Sequence, residues 1–292
     1  MSAEKGGMEG RELDWPVGRG GAAMVTDDRV ETAWRPGSGE HDEFPVASVT
    51  KLLTSMAALA AVDAGRLDLE QPVPLDRWAQ GGDDSPSTPR HLLPHASGLP
   101  QETGRRREQG TRRIYSNLGF RALAEAVEGA VGLTFSAWLE SSVLQPLGLS
   151  ETRLGERLGV PADPAAGAVS TLADLVRLAR CLLARGAPVV NSELFDEATR
   201  VQFPGLAGLV PGVGRFDPCD WGLGFELHDH KRPHWMGGRR SEAAFGHFGA
   251  SGCILWVVPE LAVAAVGLSD RDFDDERWAM RVWPDWSDRI GD

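Results

Sequence analysis

Two apolar runs late in the chain, Cys253–Val258 and 261–268, are separated only by Pro259 and Glu260. Neither run alternates with polar residues, so the pair reads as a buried hairpin rather than one with a wet face. A buried hairpin needs strands beside it and other layers across it. The beginning of the chain offers the strands. Gly20–Val25 is small and apolar, Asp27-Asp28 marks a turn, Val30–Trp34 reads as extended, and 36–39 breaks it. That pattern predicts an early β-hairpin.

Between these ends the periodicity becomes helical. Leu52, Leu53, Met56, Leu59, Ala60 and Val62 recur at helix spacing over 48–64, and Gly65 can end that helix. A second helix is predicted over 118–130, burying Phe120, Leu123, Ala124 and Val127. A third begins at Thr171, which can cap it with Asp174 three positions on, and carries Leu172, Leu175, Leu178 and Leu182. A last helix is expected over 276–282, with Trp278 and Val282 on one face. Polar loops are read at 81–89 and, strongly basic, at 105–113. The fold class is therefore α/β: an antiparallel sheet built from both chain ends, flanked by helices, with a mainly helical lobe. A single domain over 1–292 is expected, its α/β lobe at 17–75 plus 215–292 and its helical lobe at 76–214.

Charge excludes some functions. Lys plus Arg total 30 against 42 Asp plus Glu, a formal net charge of -12. Neither a nucleic-acid binder nor a polybasic membrane anchor fits that balance. No apolar run reaches the roughly 18 residues of a membrane span. The first 15 residues are polar and lack the apolar core of a signal peptide, so a cytoplasmic location is expected. Cys181, Cys219 and Cys253 form no CxxC pair and read as reduced packing residues.

Lysine occurs only at Lys5, Lys51 and Lys231. Two of the three stand in Ser-x-x-Lys. Ser2-Ala3-Glu4-Lys5 lies on a polar end, whereas Ser48-Val49-Thr50-Lys51 opens the first amphipathic helix. There, Ser48 and Lys51 fall one turn apart on one face, beside free backbone N–H groups. Apolar surroundings and the helix dipole both disfavour a charged Lys51, which could then act as a base. A helix-capping serine with a solvated lysine is the structural alternative. Tyr115-Ser116-Asn117, holding the chain's one tyrosine, places a phenol and a carboxamide two apart before a helix. They can share a cleft as proton relay and amide ligand, or be a turn with Asn117 as helix N-cap. Gly246-His247-Phe248-Gly249-Ala250-Ser251-Gly252 precedes the first late apolar run. Its glycines permit close backbone approach, and an N–H on that edge can complete an oxyanion hole. Alternatively, His247 is a structural histidine in a glycine-rich turn.

In that order the three segments resemble the serine β-lactamase and penicillin-binding-protein superfamily. The branch they are most similar to holds class C β-lactamases, family VIII esterases and D-alanyl-D-alanine carboxypeptidases. The likeness extends to Leu92-Leu93-Pro94-His95-Ala96-Ser97-Gly98-Leu99-Pro100, to Gln145-Pro146-Leu147-Gly148-Leu149 and to the segment 169–183, and covers roughly 20–269. The resemblance implies a serine β-lactamase-like fold, with Ser48 as acylated nucleophile and Lys51 as its base, sharing the proton with Tyr115. Asn117 would bind the acyl side chain or hold Lys51. His247 stands where class C enzymes have a lysine, with Gly249 beside it. The N–H groups of Ser48 and Ala250 would form the oxyanion hole. A charged Lys51 near the phenol would lower the Tyr115 pKa.

The resemblance implies a serine hydrolase, first an esterase on a small ester or amide. A biosynthetic acyltransferase with the same residues is the alternative, and a non-catalytic acyl-ligand or β-lactam-binding sensor a third. The partner would be a small ester, amide or thioester, with an acyl carrier as a further candidate. No metal or other cofactor is called for. A cytoplasmic location would argue against antibiotic resistance or cell-wall cleavage, whose substrates lie outside. Two other features stand apart. His228, His230 and His234 have a spacing compatible with zinc but no matching acidic or cysteine ligand. Arg105, Arg106, Arg107, Arg112 and Arg113 read as a solvated loop, or else as a rim attracting an anionic substrate. Little chain separates Pro100 from Tyr115, so the cleft is expected to lack a wall there.

Overall fold

The computed structural model describes residues 11–290. Its main sheet has seven strands. In spatial order they are Arg11–Glu12, Val30–Trp34, Gly20–Val25, Val263–Ser269, Cys253–Val258, Phe245–Gly249 and Glu226–Leu227. Only the first pair is parallel. The early hairpin lies where the sequence predicts it, and Gly20–Val25 pairs with the late hairpin, Gly20 opposite Ser269. The late hairpin differs in one detail. Pro259–Leu261 is a 3-10 turn, so the second strand starts at Val263 and Leu261 is exposed.

Period-two alternation sorts these strands into two buried layers. Leu255, Val257, Ala264, Val266 and Leu268 face a core shared with the helices, while Ile254, Trp256, Val258 and Ala265 face the other side. The Leu172–Leu183 helix covers the first face, with Thr171 as N-cap accepting from the Asp174 N–H. The Trp278–Arg289 helix covers the second. It runs longer than the sequence predicts, and its buried face is Trp278, Trp283 and Trp286, with Val282 only half-buried. Trp15 packs against all three rings at centroid distances of 5.2 to 6.2 Å. Leu13 and Trp15 are thus core residues, although the chain's beginning reads as polar. A Cβ at Gly267 would collide with the Trp15 ring, so glycine is what lets the indole lie on the sheet.

The Thr50–Asp63 helix is the hub of the other layer. It is buried from Thr50 to Ala61 and packs on the Asn117–Val131 helix, which buries Phe120, Leu123, Ala124 and Val127 as expected. The basic stretch 105–113 departs from a solvated loop. Arg106 and Arg113 are buried and donate to backbone carbonyls, Arg106 to those of Ser97 and Ser85, Arg113 to those of Pro94, Cys219 and Gln202. Beside it stands a small hairpin, Gly208–Val210 with Gly214–Phe216, bridged to Arg113. It stands across a pocket from the 101–115 segment, with Tyr115 in the lining.

Candidate active site

Ser48 lies in a 3-10 turn, Ala47–Val49, that runs straight into the Thr50–Asp63 helix. Ala47 has φ 44, left-handed backbone that is strained for alanine, immediately before Ser48. Thr50 fixes the turn from behind. Its hydroxyl donates to the Ala47 carbonyl at 2.6 Å and accepts from the Ala168 N–H at 2.9 Å. Thr54 donates to the Pro164 carbonyl at 2.6 Å. These two threonines hold 164–168 along the helix and bring the Ala165 carbonyl to Lys51.

Lys51 is wholly buried. Its Nζ lies 3.1 Å from Ser48 Oγ, 2.7 Å from Asn117 Oδ1 and 2.8 Å from the Ala165 carbonyl. Burial pushes its pKa from the ordinary 10.5 down to about 7, against an upward pull from Asp163 and Glu102. Of the two roles open to Asn117, holding Lys51 is the one its geometry fits. Asn117 is not the helix N-cap. Ser116 is, its Oγ accepting from the Gly119 N–H at 2.9 Å, which leaves the Asn117 side chain free for the lysine.

Three residues that the sequence reading does not single out close a ring around this lysine. Asn117 Nδ2 donates to Glu102 Oε1 at 2.6 Å. Arg121 donates to Glu102 Oε2 at 2.7 Å and to Asp163 Oδ2 at 2.6 Å. Asp163 Oδ1 accepts the Ala165 N–H at 2.9 Å, and the Ala165 carbonyl returns to Lys51. The one signal in the sequence is the spacing of Asn117 and Arg121, four apart on one helix face.

Tyr115 reaches the same place from the other side. Its ring packs on His95 at 4.5 Å and lies 6.0 Å from Trp221. His95 is buried, and its Nδ1 accepts the Ser116 N–H at 3.1 Å. Burial and the nearby Lys51 hold its pKa well below 6.5, so it is a neutral support for the tyrosine. The Tyr115 hydroxyl is 3.5 Å from His247 Nε2. Burial drives the phenol pKa well above 10, only partly offset by a hydrogen bond to Ser48. This reverses the expected direction. His247 Nδ1 lies 2.7 Å from the Phe248 carbonyl and must donate to it, so the neutral ring presents the Nε2 lone pair to Tyr115. Burial and Lys51 lower the His247 pKa to about 3. At Gly249 a Cβ would collide with the Val46 carbonyl, so glycine lets the Phe245–Gly249 strand close on the Ser48 turn and brings Ala250 to its edge.

Ser2 and Lys5 lie outside the described residues. Of the three histidines of the 228–234 run, His228 and His234 meet ring to edge at 4.8 Å and His230 stands apart. His234 pairs with buried Glu226 at 2.9 Å, His228 meets the Gly237 carbonyl, and His230 is exposed beside Glu242. Among the described residues no three His, Cys, Asp or Glu are arranged to hold a metal, and no helix is long and apolar enough to cross a membrane.

The β-lactamase family model matches residues 16–284. A β-lactamase (Mb2281c) from Mycobacterium bovis is 42% identical, with TM-score 0.82 over 94% of this chain and 95% of that one. A mutant of simvastatin synthase, LovD, from Aspergillus terreus shares the fold, with TM-score 0.73 and 17% identity over 94% of this chain and 92% of that one. The D-alanyl-D-alanine-carboxypeptidase/endopeptidase AmpH of Escherichia coli (strain K12) is 28% identical over 176 residues, 46% of this chain and 45% of that protein. The chain spans less than half the length of the curated relatives it matches. A family match over most of the length, on a fold that gathers Ser48, Lys51 and Tyr115 at one point, leaves one conclusion: the chain belongs to the β-lactamase family.

Proposed function

We propose that the chain is an esterase acting on a small ester or amide through an acyl-enzyme at Ser48. The observation that carries this reading is a buried lysine, its pKa lowered to about 7, with Nζ 3.1 Å from Ser48 Oγ. A neutral Lys51 takes the Ser48 proton as Oγ bonds to the substrate carbonyl carbon. The N–H groups of Ser48 and Ala250 receive the oxyanion. Tyr115, whose raised pKa keeps it protonated, gives its proton to the leaving oxygen of an ester, or nitrogen of an amide, as that bond breaks, and recovers one from Lys51. Water then enters by the same route in reverse, and the acid leaves.

An alcohol or amine in place of water makes the same machinery an acyltransferase. EstCE1, a hydrolase with promiscuous acyltransferase activity, has a similar fold. Burst kinetics with a p-nitrophenyl ester and mass spectrometry of the trapped protein test the reading. An acyl adduct on Ser48, absent in Ser48→Ala, is expected. Equal turnover by wild type and Ser48→Ala would overturn it. Partitioning between water and added methanol separates hydrolysis from transfer.

A further inference from the structure

We propose that the substrate carries a negative charge, bound by a pocket of arginines beside Tyr115. The inference rests on Ser48 being the acylated nucleophile, and it names the class of ester that nucleophile receives.

The pocket has a volume of about 550 Å³ and lies between the 101–115 segment and the 208–216 hairpin, with Tyr115 in its wall. That is the size of a small-ligand site. Arg107, Arg112 and Arg215 line it, all exposed, and among the described residues none of their guanidiniums is ion-paired. Elsewhere in the chain Arg90, Arg121, Arg153 and Arg185 have carboxylate partners, and what sets these three apart is that they share one concavity. Arg113 adds a buried charge to the lining. It donates to carbonyl oxygens, and its nearest carboxylate, Asp220, is 3.8 Å away. Asp217 is the one acidic residue in the lining.

Four arginines against one aspartate is the opposite of a chain with 42 acidic and 30 basic residues. Arg107, Arg112 and Arg215, gathered without ion-pair partners, repel one another, and a concave wall concentrates their potential. A carboxylate or phosphate relieves that repulsion and matches the guanidinium fork. Ile114, Leu209 and Phe216 supply apolar wall between the charges. The fitting substrate therefore bears its anion at the end of a short apolar portion, with the reacting carbonyl on the Tyr115 side.

The test compares isosteric esters. p-Nitrophenyl hemiglutarate against p-nitrophenyl valerate puts the charge on the acyl side. The valeryl ester of 4-hydroxybenzoate against phenyl valerate puts it on the alcohol side. One charged ester is expected to exceed its neutral partner in kcat/KM by about tenfold or more, through KM, the scale of a charged hydrogen bond. In Arg112→Gln/Arg215→Gln that ratio should collapse towards one. Raising salt from about 0.05 to about 0.5 M should reduce it. Neutral esters used as well as both charged ones, or a preference that survives the double substitution, overturns the proposal.

A second arm needs no turnover. Glutarate and inorganic phosphate are titrated by calorimetry into Ser48→Ala with and without the two arginine substitutions. Binding weakened about tenfold or more by the substitutions supports the pocket, the tighter anion telling carboxylate from phosphate. Binding that is absent or unaffected overturns it. Failure to acylate Ser48 with any ester, while the anions still bind through the arginines, would instead remove the esterase reading.

Discussion

The Lys51 nitrogen stands 4.7 Å from the centre of the Tyr115 ring, over its face. A cation there is attracted to the ring's electron-rich face, and that contact does not single out the phenol oxygen. With a pKa near 7, Lys51 is also largely uncharged at the alkaline pH where a phenol titrates. Burial therefore decides the sign for Tyr115, and the phenol stays protonated.

Tyr115 is expected to titrate above the ordinary value of about 10. Because it is the chain's one tyrosine, ring carbon-13 labelling gives a single set of signals to follow against pH. A midpoint below 10 would mean that a nearby charge, not burial, sets the phenol. Tyr115→Phe should slow turnover about 100- to 10,000-fold while leaving the fold intact.

The rate of acylation should rise with pH through about 7, where Lys51 loses its proton. The sign follows from its lowered pKa: below about 7 the amine is protonated and cannot accept from Ser48. A kcat/KM profile that is flat from about pH 6 to about pH 9 would remove Lys51 as the base.

The ring behind Lys51 should tune it in both directions. Asp163 raises the lysine pKa and Arg121 lowers it. Asp163→Asn should move the rising limb of the profile to lower pH, and Arg121→Gln should move it to higher pH. Each should cost about 10- to 100-fold in kcat through looser positioning. Loss of activity with an unmoved limb would make these residues merely structural.

Gly267→Ala should destabilise the protein by about 1–3 kcal/mol, the scale of an overpacked core. The added Cβ meets the Trp15 ring. Chemical denaturation would show this as a lower midpoint with little change in slope. An unchanged midpoint would mean that the indole has room to move.

The sequence carried the parts of this molecule that are local. Hairpin periodicity, the Thr171 cap and the three-residue step from Ser48 to Lys51 all come from neighbours in the chain, and the structure has them. The parts it did not show depend on distant partners. Arg106 and Arg113 look like solvated charges until carbonyls from the 83–97 and 202–219 segments surround them. Glu102 reaches Lys51 through Asn117 and Asp163 through Ala165, from 51 and 112 positions away in the chain (102 − 51 and 163 − 51). Trp15 is one aromatic in a polar stretch, and the gap at Gly267 together with three distant tryptophans explains its burial. The direction of the Tyr115 shift needs the ring's orientation, which no spacing rule supplies.

Gly20 is hydrogen-bonded in register with Ser269, and the strand that flanks the Ser48 turn ends at Gly249. During synthesis, then, the ribosome releases Ser48 and Lys51 long before the residues that complete their surroundings exist. A nascent chain holding the first two hundred residues has a serine and a lysine but neither the His247 strand nor the central sheet beneath it. The hydrogen-bond partners of Lys51, namely Ser48, Asn117 and Ala165, all belong to that earlier part. The strand that carries His247 is therefore the last wall of the site to be made.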